Sequence, residues 1–129
     1  MDVESPPETL EPRGRGGTRT WRATALSGVA VLVLVTVHMV AHHFVVEEVG
    51  GLRTYRQVLA YVGHPVIVVL ESLFLVVVTW HGLLGLRSVL FDLGLTEATQ
   101  RRVSRGLTAL GVVTIAYGLT LIGVLAARS

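Results

Sequence analysis

An imidazole and a carboxylate share one long apolar run: His81 and Glu71 both lie within Pro65 to Leu90, a stretch long enough to cross a bilayer. Ionisable groups at such depth are costly and usually turn toward a protein interior or a bound group, so a neutral His81 is a candidate ligand for a metal or haem iron. On a helix, His81, Gly85, Ser88 and Asp92 fall at i, i+4, i+7 and i+11. They form one small, polar stripe within about 40° of His81 and about 16 Å long. Gly85 leaves room, one turn from the imidazole, for a flat group or a close neighbouring helix. Two roles stay open for His81 on these residues alone: ligand, or a histidine bonded to a packed neighbour, with Gly82 and Gly85 permitting the approach.

Other polar residues carry weaker signals. His38 and His42 are four apart and share a helix face, followed by His43. Such a pair can clasp a metal, but no third ligand is evident nearby, and interfacial imidazoles are the plainer expectation. Glu71 is expected to make a structural or inter-subunit hydrogen bond, with a proton relay as the alternative. Arg87 lies off the His81 stripe and suits phosphate or a partner subunit. Tyr117, with Thr114 and Thr120, suggests hydrogen bonds between helices, and Gly111, Gly118 and Gly123 suggest close packing there. The chain has no cysteine, so disulfides and thiolate metal sites are excluded.

These residues need elements to hold them. Mean hydropathy is +0.63 and 51% of the 129 residues are apolar, which does not suit a small soluble domain. The apolar residues cluster at Ala23 to Val46, Pro65 to Leu90 and Leu107 to Ala127, each past the ~18 residues that mark a membrane span. The expected fold is therefore an all-α integral membrane protein with helices at about 22–46, 65–91 and 105–127. Residues 1–20, rich in Pro, Gly and charge, are expected to form a disordered leader. A signal peptide is the competing expectation, and the acidic leader and long first apolar block argue against it. Between the first two spans, Leu52, Tyr55, Val58, Leu59 and Val62 suggest a short amphipathic helix at the interface.

All eleven basic residues are arginine. Arg13, Arg15, Arg19 and Arg22 precede or open the first span, and Arg87, Arg101, Arg102 and Arg105 flank the second connection. The positive-inside rule places the N-terminus in the cytoplasm and the C-terminus outside. No nucleic-acid partner is expected from a formal charge of +2.

The run from His81 through Gly85 to Asp92 resembles the second membrane helix of succinate dehydrogenase anchor subunits, in which His-x-x-x-Gly precedes a cytoplasmic-end Asp. The Arg22-Ala-Thr entry, Pro65 and Glu71 are similar too, and the likeness covers about Trp21 to Leu125. The resemblance implies half of a two-subunit helical anchor. In it His81 would be an axial ligand of a b-type haem shared with a second anchor subunit. Arg22 would lie near the propionates, Gly85 and Ser88 beside the haem, and Asp92 near a quinone head group. Leu93 stands where that family often has a tyrosine, which puts the direct quinone hydrogen bond in doubt. Some relatives carry two haems, which would make His38 a ligand of the second. FAD and iron-sulfur clusters would belong to flavoprotein and iron-sulfur partner subunits on the cytoplasmic face of the inner (cytoplasmic) membrane. The chain would not be catalytic alone. A fumarate reductase anchor, or a non-redox membrane scaffold or assembly subunit, are the alternatives.

Overall fold

The computed structural model describes residues 16–45 and 54–129. Most of the expected leader, with Arg13 and Arg15, and the stretch containing Glu47, Leu52 and Arg53 lie outside the described residues.

Lipid offers no partners for backbone amides, so a long apolar run closes its hydrogen bonds internally as a helix. Helix α1 (Gly16–Val40) ends in a π-helical turn, Ala41–Val45. Helix α2 (Tyr55–Val62) is the short connecting helix. It opens on a capping box: Thr54 Oγ1 accepts from the Gln57 amide at 3.3 Å, and Gln57 Oε1 accepts from the Thr54 amide at 3.0 Å. Helix α3 (Pro65–Asp92) starts with proline at its first turn, where no amide hydrogen is needed.

Helix α4 (Glu97–Ala126) follows a tight turn in which Gly94 takes φ +71°. It begins eight residues ahead of the expected start at 105. The apolar block hid that boundary: Thr96 caps α4 by accepting from the Thr99 amide, and Glu97 favours the positive N-terminal end. The first two turns are polar and helical.

Three helices are long and apolar enough to cross a membrane: Arg19–His43, Pro65–Asp92 and Glu97–Ala126. The second is about 42 Å long at 1.5 Å per residue, more than the ~30 Å hydrocarbon core. They form a single row. Helix α3 packs on α1 along one side and on α4 along the other, and among the described residues no contact joins α1 to α4. A Cβ at Gly111 would collide with Leu83, and one at Gly118 with Leu75, so these glycines bring α4 against α3. No described atom lies within 4 Å of a Cβ placed at Gly123, which does not pack as expected. Tyr117 is 71% exposed and Thr120 bonds back to its own Ala116 carbonyl at 2.7 Å. The polar strip on α4 therefore makes no hydrogen bond to another described helix.

Among the described residues Ile67 is the one buried large hydrophobic side chain, and no polar side chain is buried. The row has no core of its own. Its apolar faces are complete only when covered.

Candidate functional site

The arginine-rich end of the row holds the start of α1, the end of α3 and the start of α4; the π turn and α2 mark the opposite end. Polar groups meet at two levels between α1 and α3, about 16 Å apart along the helices at 1.5 Å per residue.

At the level nearer the arginines, His81 Nδ1 lies 3.0 Å from Ser27 Oγ. The Ser27 hydroxyl also lies 3.0 Å from the Thr24 carbonyl oxygen. A hydroxyl has one proton, so it either donates to Thr24 and accepts from His81 Nδ1, or donates to Nδ1 itself. In the first arrangement Nε2 holds the lone pair and is the nitrogen left to coordinate a metal. Gly28 makes the approach possible, since a Cβ there would stand 3.2 Å from His81 Cε1.

At Gly85, one turn along, no described atom lies within 4 Å of where a Cβ would stand. Ser88 and Asp92 continue the stripe as exposed residues, and Arg22 is exposed near the start of α1. The structure brings Ser27 and Gly28 to His81. It shows no contact from Arg22, Ser88 or Asp92 to that imidazole. Such residues could hold a flat cofactor: the His81 ring is tethered to α1, and no described atom lies within 4 Å of a Cβ placed at Gly85.

At the other level His38 Nδ1 lies 2.9 Å from Glu71 Oε1, and His42 Nε2 lies 3.8 Å from the same oxygen. Glu71 is the third ligand-type residue that sequence spacing did not reveal; the three donor atoms lie within 4.8 Å of one another, close enough to hold a divalent ion. His42 comes from the π turn, a widened turn that often marks a functional position. Phe74 stacks on His38 at 5.1 Å between ring centroids, and Tyr61 of α2 tilts onto His42 at 4.9 Å. Tyr61 as a whole is half-buried, but its hydroxyl oxygen is shielded from solvent and makes no hydrogen bond of good geometry among the described residues. Burial, and then the charge of Glu71, push its pKa above the usual tyrosine value.

The succinate dehydrogenase/fumarate reductase transmembrane subunit model matches residues 13–121. The chain belongs to this family. It is 29% identical over 122 residues to a succinate dehydrogenase hydrophobic membrane anchor subunit of Archaeoglobus fulgidus, covering 95% of this chain and 97% of that one. It is 26% identical over 106 residues to the corresponding subunit of Thermoplasma acidophilum, covering 82% of this chain and 84% of the relative. No solved structure matches it significantly.

For this transmembrane subunit, sequence reasoning missed Ser27, Gly28 and Tyr61. A Ser-Gly pair inside an otherwise apolar helix was the available signal for the first two. Nothing in the periodicity of either helix says which residues face each other across them.

Proposed function

We propose that this chain is the membrane anchor subunit of a succinate dehydrogenase, that His81 Nε2 supplies one axial ligand to a b-type haem, and that a second anchor subunit supplies the other. The supporting observation is the Ser27–His81 hydrogen bond, which engages the ring through Nδ1 while Nε2 has no hydrogen-bond partner among the described residues. When bound, the haem supplies one-electron storage between the iron-sulfur centres and membrane quinone. The chain's own residues position it. Gly28 and Gly85 keep space beside the imidazole, Ser88 borders that space, and the Arg22 guanidinium suits propionate oxygens. Asp92 is the candidate neighbour of the quinone head group, through water or by structure, because Leu93 offers no hydroxyl.

In this reading the second anchor completes the half bundle. The flavoprotein and iron-sulfur subunits dock on the arginine-rich, cytoplasmic end, and the C-terminus lies outside the cytoplasmic membrane. Electrons from succinate reach quinone through cofactors held mostly elsewhere. The reverse reaction, fumarate reduction, needs the same anchor.

A reduced-minus-oxidised spectrum of the purified complex tests the proposal. Bis-histidine b-haem bands that vanish in His81→Ala are expected. A quinone-active complex without such bands would leave the anchor role and remove the haem; a chain that copurifies with no flavoprotein would point to a scaffold. One observation favours a second haem at the outer level: His38 Nδ1 is also held by an acceptor, Glu71. That version predicts twice the haem per complex and loss of half of it in His38→Ala.

A further inference from the structure

Two adjoining cavities lie between α3 and α4, and neither touches the His81 or Glu71 clusters. The first, about 330 Å³, runs from Arg87 and Ser104 to Trp80 and Ile115. Its span on α4, Ser104 to Ile115, is about 16 Å at 1.5 Å per residue. That is close to one leaflet of a ~30 Å hydrocarbon core. Apolar side chains, Leu83, Leu84, Leu107, Val112 and Ile115 among them, form most of its wall, with Gly111 the small residue. The second, about 490 Å³, opens from the same Arg87 and Ser104 onto Arg101, Arg105 and Gln100, with Glu97 its one acid. Arg87 stands where they join, its guanidinium carbon 4.8 Å from the Phe91 ring centroid. An apolar slot one leaflet deep thus ends beneath three guanidinium groups.

We infer that this groove binds an anionic phospholipid, with one acyl chain between α3 and α4 and its phosphate on Arg87, Arg101 and Arg105. Guanidinium forks match phosphate oxygens, and basic pockets between membrane helices are suited to such head groups. A quinone has a similar tail but a neutral head, and gains little from three cations. Arg102 provides an internal control. It lies beside Arg101 in sequence yet lines neither cavity. General attraction of positive charge to the membrane would treat it like the others, whereas a built site would not.

The test uses the intact complex, purified and exchanged into nanodiscs of phosphatidylglycerol mixed with phosphatidylcholine, with native mass spectrometry counting retained lipids. Wild type is expected to keep one phosphatidylglycerol on this chain in preference to phosphatidylcholine. Arg87→Gln and Arg105→Gln should each cut that retention tenfold or more, and Arg102→Gln less than twofold. Thr108→Trp fills the apolar slot without changing charge and should release the lipid as well. Equal losses in Arg102→Gln and Arg87→Gln, equal retention of the two lipids, or no effect of Thr108→Trp would each overturn the proposal. So would quinone as the retained molecule. If Arg87→Gln does not assemble, Arg105→Gln carries the comparison.

Discussion

A single hydroxyl decides how His81 presents itself. Ser27 Oγ lies 3.0 Å from both His81 Nδ1 and the Thr24 carbonyl oxygen, and so ties the ring to α1. Loss of an outer-shell partner of this kind typically costs about 10–100-fold in metal affinity. Ser27→Ala should therefore lower haem occupancy of the assembled complex, as counted by its pyridine haemochrome, with Ser27→Thr retaining more. Gly28→Ala should do the same by pressing a methyl against the ring. Full occupancy in Gly28→Ala would mean that the ring does not sit against α1. Asp92→Asn should slow quinone turnover more than it lowers haem content; an unchanged rate would retire Asp92 from that site. Glu71→Gln is expected to leave the pH profile of turnover intact, because Glu71 is tied to His38; a shifted profile would instead mark a proton relay. Tyr61 has its own pH signature. A raised folded-state pKa stabilises the neutral phenol, so its contribution holds below the ordinary value of 10.0 and is lost as pH climbs through the folded value. Melting temperatures above pH 10 should fall less in Tyr61→Phe than in wild type.

At the scale of elements, the glycines of α4 have different roles despite their shared chemistry. Gly118→Leu drives a side chain into Leu75 and should destabilise the α3–α4 contact by about 1–3 kcal/mol, read from thermal unfolding of the complex. Gly123→Ala meets no described atom and should change stability by less than about 1 kcal/mol. Sequence treated the two alike, because a small residue announces that close packing is possible and not where the neighbour is. The same limit hid the pairing of His38 with Glu71: each residue was visible, but the offset between α1 and α3 belongs to neither helix alone. The membrane spans were legible because lipid leaves a long apolar run no other choice. The start of α4 was not, since Thr96 and two polar helical turns precede any apolar signal.

Across the whole molecule, composition foretold a membrane protein, and the family match agrees with the three spans. What it did not foretell is that both outer helices lean on α3, with no contact between the two among the described residues. Apolar side chains such as Trp80, 58% exposed, and Val112, 63% exposed, are left for lipid or a partner to cover. Produced without its companion subunits, the chain should therefore turn over several-fold faster in a pulse-chase experiment. Coexpression with a second anchor should restore its lifetime, and equal lifetimes would show that lipid alone is enough.

A plank has two broad sides where a bundle has an inside. Every copy of this polypeptide therefore carries apolar surface, Trp80 and Val112 included, on flanks that its own helices leave open.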